Sequence, residues 1–212
     1  MNQEISKKIA GVLLEIQAIK LRPNDPFTWA SGWKSPIYCD NRMSLSYPDA
    51  RTKIKNALSN SIRENFPEVE AIAGVATAGI PQGALVAEAL DLPFIYVRSK
   101  AKVHGMGNQI EGKVVKGQKV VVIEDLISTA GSSLKAIQSL RESEIDVLGM
   151  MAIFTYEFPV AEQNLKAAKV PVFTLSNYST LIDVALERKI IDESNVNLLQ
   201  EWRKSPETWG AS

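Results

Sequence analysis

A parallel α/β fold, with the sheet buried between layers of helices, follows from three features of this 212-residue chain. Short runs of β-branched and other apolar residues, Val120 to Ile123, Val147 to Phe154 and Val172 to Leu175, are too apolar and too short for surface helices and read as strands buried on both faces. Segments with apolar residues at helical spacing alternate with them. The intervening loops near Thr77, Arg98 and Glu124 fall at strand carboxyl ends, where ligands of such sheets bind.

Taken in order, residues 4 to 19 place Ile5, Ile9, Val12, Leu13, Ile16 and Ile19 on one helical face. Residues 27 to 42 mix aromatics, turn formers and polar groups in a way that no single element explains; a Gly/Pro-punctuated hairpin with its aromatics on the core is one reading. Pro48 and Asp49 suit the first turn of a helix whose apolar stripe is Ile54, Leu58 and Ile62, ended by Phe66-Pro67. A strand from Val69 to Ala76 leads through the small loop Thr77-Ala78-Gly79 into a helix reaching Leu90, and a third strand spans Pro93 to Val97.

Arg98 to Gly112 then joins cations to glycines with little apolar content, which predicts a mobile basic loop over 98–112. It imitates two nucleotide-binding motifs and satisfies neither. Ile110 stands where a dinucleotide fingerprint needs its third glycine, and Val114 where a P-loop needs a hydroxyl. Further on, the spacing predicts a helix from Val160 to Lys169 and two more near 178–189 and 194–203.

Composition narrows the function classes. The 24 basic and 24 acidic side chains cancel, so no global field draws in nucleic acid or an anionic membrane, and anion binding must be local. One cysteine, Cys39, and one histidine, His104, exclude an internal disulfide and a Cys/His zinc site. Cys39 suits a reducing cytoplasm, and no segment has the apolar run of a signal peptide or a membrane span.

The most informative stretch is Lys119 to Ser133. The strand Val120–Ile123 ends on two adjacent carboxylates, Glu124 and Asp125; the small, hydroxyl-rich turn Ser128 to Ser133 then opens a helix carrying Leu134, Ala136, Ile137 and Leu140. Unpaired N–H groups and the positive end of a helix dipole suit a phosphate, and Gly131 permits close backbone approach. Two carboxylates repel that same phosphate and need hydroxyl donors instead. A ribose 5-phosphate meets both demands. A solvated turn followed by a helix cap explains the serines and threonine, but neither the acidic pair nor the run of small residues.

This stretch resembles the signature for 5-phosphoribosyl 1-diphosphate (PRPP) in the type I phosphoribosyltransferases. With the hood-like segment 27–42 and the Arg98, Lys102, His104-Gly105 loop, the order and spacing are similar to those of bacterial orotate phosphoribosyltransferases over nearly the whole chain, to about residue 190. The resemblance implies a single phosphoribosyltransferase domain over 1–212, with a hood from about 1–45, and a homodimer whose basic loop serves the neighbouring subunit's site. It implies transfer of phosphoribose from PRPP to orotate in pyrimidine biosynthesis, with Mg²⁺ carried mainly on PRPP and water and no protein metal ligand. Arg98, Lys102 and His104 would contact the diphosphate, the last two as catalytic groups, and the backbone of Thr77 to Gly79 would approach it. Glu124 and Asp125 would hold the ribose, Thr129, Ala130, Gly131 and Ser132 the 5-phosphate, and Ser128 and Tyr38 the orotate. Where other members carry lysines this chain has Ala30, Ala78 and Ser99, and no arginine follows the strand ending near Thr155-Tyr156. Backbone N–H groups, Ser128 or Arg42 are then left to meet the carboxylate of orotate. Other readings are a phosphoribosyltransferase for another base and a PRPP-sensing regulator of transcription; the latter expects a basic DNA-binding segment that this chain lacks.

Overall fold

The computed structural model describes residues 2–29, 31–99 and 109–210. Helix α1 (Gln3–Glu15) starts on Asn2, whose side chain accepts from the amides of Glu4 and Ile5. It stops earlier than its periodicity suggests: Gln17 adopts φ 57°, and the chain turns into strand β1 (Ile19–Leu21). Ile19 is therefore buried from a strand instead of a helix, a difference that spacing alone does not reveal.

Four short strands build the hood. β1 pairs antiparallel with β4 (Ile37–Cys39), and β2 (Phe27–Thr28) with β3 (Lys34–Ser35). A 3₁₀ helix, Asn41–Ser46, leads to α2 (Pro48–Asn65), which carries its proline at the first turn. Strand β5 (Ala71–Val75), helix α3 (Gly79–Leu90) and strand β6 (Phe94–Val97) follow. Next come β7 (Ile110–Glu111), β8 (Lys119–Ile127), α4 (Gly131–Glu142) and β9 (Asp146–Thr155). The chain ends in α5 (Pro159–Ala167), β10 (Val172–Asn177), α6 (Tyr178–Glu187) and α7 (Glu193–Lys204).

The main sheet has the order β10-β9-β8-β5-β6-β7, parallel throughout except for β7. From β5 the chain winds one way to β6, and from β8 the other way to β9 and β10, so β5 and β8 flank the topological switch point. Helices cover both faces, as the near-continuous apolar strands require: Val120 to Ile123, Met150 to Phe154 and Ala71 to Ala73 are fully buried. Gly79 lets α3 begin against β8, because a Cβ there would collide with the Ile123 carbonyl oxygen. The loops after β5 and β8 are thereby brought side by side.

Two boundaries differ from the sequence reading. β8 does not end before the acids; pairing continues through Glu124↔Ala152 to Ile127↔Thr155, so both carboxylates project from within the strand. Ile110 and Glu111, placed in the basic loop by composition, add an antiparallel strand to β6. Ile110 is a buried apolar residue seated on the sheet edge, and that burial outweighs the polar character of its neighbours.

Candidate functional site

The site is built where β8 hands over to α4. Glu124 is only 5% exposed. Ser133 Oγ donates to its Oε2 at 2.8 Å, and the Asp125 amide donates to its Oε1 at 3.1 Å. Burial, then the neighbouring charge of Asp125, pushes the Glu124 carboxyl up to about 8, while the bond from Ser133 opposes the shift. Asp125 is also raised, again chiefly by burial. Two acids this close titrate as a pair and share a proton readily. Asp125 lies on the hood side, where its charge acts on the Cys39 thiol and the Tyr156 phenol and is in turn moderated by Arg42.

From the other side, Asn41 Nδ2 donates to the Asp125 carbonyl at 2.7 Å. Asn41 belongs to a buried chain of bonds: Gln82 Nε2 on α3 donates to Ser44 Oγ at 3.1 Å, and Ser44 Oγ donates to the Asn41 carbonyl at 2.6 Å. The start of the 3₁₀ helix, the first turns of α3 and the end of β8 are thus locked together. Sequence reasoning singled out none of Asn41, Ser44, Gln82 or the side chain of Ser133. Asn41 sits unremarked between Asp40 and Arg42, and a serine in a helix's first turn reads as a cap.

The turn after β8 has the openness a phosphate needs. Helix α4 lacks a side-chain cap, and Gly131 and Ser132 are exposed. Its first N–H groups therefore have no partner from a side chain. Ala130, not Gly131, takes the left-handed conformation here, with φ 65°. Around Gly131 there is open space, since a Cβ would meet only Thr129 Oγ1 at 3.7 Å. Asn164 steadies the turn by donating to the Thr129 carbonyl at 3.1 Å. Ser128 follows directly on the last residue of β8.

A cleft of about 520 Å³ runs beside this turn, lined by Ala76, Arg98, Ser99, Gly131, Ser132 and Lys135 among others. It brings together the ends of β5 and β6 with the start of α4, as the parallel topology predicts. Arg98 contributes positive charge and pairs with Glu111 at 3.5 Å. Neither Glu124 nor Asp125 is part of its lining. Ala76–Thr77 is a cis peptide, and α3, entered from Ala78, also starts without a side-chain cap. Lys102 and His104 lie outside the described residues, as does Ala30.

On the hood, Tyr38 is 41% exposed, with its ring 5.6 Å from that of Phe27. Arg42 is held by Asp40 through Nε to Oδ1 at 2.6 Å and Nη2 to Oδ2 at 2.9 Å, which keeps the Asp40 carboxyl below its ordinary range. At the end of β9, Tyr156 is buried in an aromatic cluster with Trp29, Phe158 and Trp202. Among the described residues, no group of three or more His, Cys, Asp or Glu side chains is placed to hold a metal ion, and no helix is long and apolar enough to cross a membrane.

An acidic pair on a central parallel strand, followed by an open, uncapped turn at the switch point, is the arrangement of a phosphoribosyltransferase. Residues 45–185 match the Phosphoribosyl transferase domain, and the chain belongs to that family. Within it, the relatives are specific. The chain is 58% identical over 207 residues to an orotate phosphoribosyltransferase of Enterococcus faecalis, spanning 98% of this chain and 99% of that one, and it falls among the orotate phosphoribosyltransferases. The crystal structure of orotate phosphoribosyltransferase from Aeropyrum pernix superposes with a TM-score of 0.74 at 29% identity, over 85% of this chain and 97% of that one. The same fold occurs in the Mycobacterium tuberculosis orotate phosphoribosyltransferase in complex with PRPP, with a TM-score of 0.65 at 19% identity over 84% and 98% of the two chains.

Proposed function

We propose that this chain transfers the 5-phosphoribosyl group from PRPP to orotate, giving orotidine 5'-phosphate and diphosphate. One observation carries the assignment: the buried Glu124, beside the half-buried Asp125, is joined through Ser133 to the uncapped turn at Gly131–Ser132, one unit suited to a sugar that bears both hydroxyls and a phosphate. The acids accept from the ribose hydroxyls, and the N–H groups of Thr129 to Ser132 hold the 5-phosphate. Ser128 and Tyr38 face the orotate. With Arg42 committed to Asp40, the orotate carboxylate falls to Ser128 and neighbouring N–H groups.

A ring nitrogen of orotate forms a bond to the anomeric carbon as the bond from that carbon to the diphosphate oxygen breaks, and the proton of that nitrogen passes to solvent or to the departing diphosphate. Positive charge develops on the ribose and negative charge on the leaving group. The carboxylates offset the former; Arg98, Lys102 and His104 stabilise the latter. Mg²⁺, carried in on PRPP and water, would supply charge neutralisation at the diphosphate. The donor set fits that arrangement, because the Glu124 carboxylate is already engaged by the Ser133 hydroxyl and the Asp125 amide.

We also assign a homodimer in which the basic loop serves the neighbouring site. Met43 and Tyr47, on and just after the 3₁₀ helix, are large apolar side chains left exposed, which suits contact with a second copy. A cytoplasmic location agrees with the single free cysteine. A spectrophotometric screen of orotate, uracil and purine bases with PRPP and Mg²⁺ tests the reaction: orotate-dependent diphosphate release is expected, and turnover confined to another base overturns the orotate assignment. Mixing Lys102→Ala with Glu124→Gln protein tests the shared site. Recovery of activity on mixing is expected, and none is obtained if each subunit works alone.

A further inference from the structure

Ser133 is the third residue of α4 and is 1% exposed. A serine in a helix's first turn ordinarily bonds the backbone of its own helix. This one directs its proton at 2.8 Å to Glu124 Oε2, a residue nine positions earlier on β8. The Asp125 amide occupies one acceptor site on Oε1. In the ionised carboxylate each oxygen has two lone pairs, so acceptor capacity for an incoming hydroxyl remains beside these two bonds.

We propose that Ser133 is a positioning residue for the ribose: its hydroxyl fixes the Glu124 carboxylate in the orientation that accepts the sugar hydroxyls, and so couples the sugar-holding strand to the phosphate-holding turn. This rests on the assignment of the acidic pair to the ribose made above. The geometry favours it over a packing role, because the bond joins the two halves of the ligand site and reaches none of the helix's own carbonyls.

The coupling extends to protons. Facing Glu124 and its partner are Asp125 on the same strand, Arg42 and Cys39 from the hood side, and Tyr156 beyond β9. Of the contacts around Glu124, the Ser133 bond favours the ionised carboxylate. Without it the pair holds its proton to higher pH and accepts from a sugar hydroxyl only in more alkaline solution.

The test is calorimetric titration of the full chain with ribose 5-phosphate and, separately, inorganic phosphate, across about pH 6 to 9. In Ser133→Ala, ribose 5-phosphate is expected to bind about tenfold more weakly with its acid limb moved to higher pH, while phosphate affinity stays within about twofold. Ser133→Thr, which keeps the hydroxyl, recovers both. If Ser133→Ala fails to fold, Ser133→Cys, of similar size but a poor donor, is expected to show the same split between the two probes. Equal losses for both probes, an unmoved acid limb or no loss at all overturns the proposal. Wild-type protein that binds no ribose 5-phosphate overturns the functional reading itself; wild-type turnover with an unaltered Ser133→Ala overturns only the role of Ser133.

Discussion

Trp202 Nε1 donates to the Lys34 carbonyl at 3.2 Å, so a helix near the end of the chain grips a ribbon near its start. The Trp202 ring is fully buried and meets Trp29, Tyr156, Phe158 and Tyr178 within 5.4 to 5.7 Å. Helix α7 is further tied down by Arg203, which pairs with Glu157 at 2.9 Å. The terminal helix thus fastens the hood to the end of β9.

Trp202→Ala is expected to lower stability by about 3–5 kcal/mol, the usual loss for a large buried aromatic. Trp202→Phe removes the hydrogen bond and part of the ring but keeps an aromatic in place, and is expected to cost about 1–3 kcal/mol, less than the alanine variant. Urea denaturation checks both, and equal costs for the two variants would refute the role given to the ring. Because the hood carries Tyr38, Trp202→Phe should raise the KM for orotate more than that for PRPP.

Asn41 holds the Asp125 carbonyl from within a buried chain of bonds, and its removal leaves that carbonyl and the Cys39 thiol without their partner. Asn41→Ala is expected to cost about 1–3 kcal/mol in stability. Loosening the strand under the acids should also reduce kcat/KM for PRPP about tenfold. Steady-state kinetics beside thermal melts would show a purely structural role if activity per folded molecule were unchanged.

The raised carboxyl of Glu124 makes the free protein's stability fall as pH rises. Between the ordinary carboxylate value of 4.5 and about 8, the folded chain holds a proton that the unfolded chain has released. Stability contributed by that proton is present at low pH and is lost as pH climbs through this window, by at most on the order of 1 kcal/mol per pH unit. Melting temperatures of wild type and Glu124→Gln across the window measure it. The variant should show the flatter profile, and parallel profiles would contradict the raised value.

Lys102 is assigned to the leaving diphosphate, where charge grows only as the bond breaks. Lys102→Ala is therefore expected to lose about 100-fold in turnover, about 3 kcal/mol of transition-state stabilisation, with little change in PRPP affinity. Single-turnover rates beside equilibrium binding separate the two. Weaker binding with turnover intact would move Lys102 out of the catalytic role.

The strand and helix order was legible in the sequence because burial on one face or two leaves a periodic record in neighbouring residues. That record also misled where local pattern and burial part company. Ile19 continues a helical stripe yet is buried from β1, and Ile110 sits amid polar residues yet extends the sheet. The closeness of the Glu124–Asp125 pair to the turn at Gly131–Ser132 was legible for a different reason: they are near neighbours in the chain, and a strand, a run of small residues and a helical stripe in succession place them at one end of the sheet.

By itself, then, the chain's order of residues determined the parallel α/β sheet, the segments that converge at its carboxyl edge, and the placing of two acids just ahead of a turn of small residues. Only tertiary structure decided that Ala130 takes the left-handed turn, that Ser133 bonds the Glu124 carboxylate while Asn41 holds the Asp125 backbone carbonyl, and that Trp202 fastens the hood. These depend on contacts between residues as many as 168 positions apart. Such contacts follow from how whole elements pack, and hydrophobic periodicity carries no information about which polar atom will meet which across that distance.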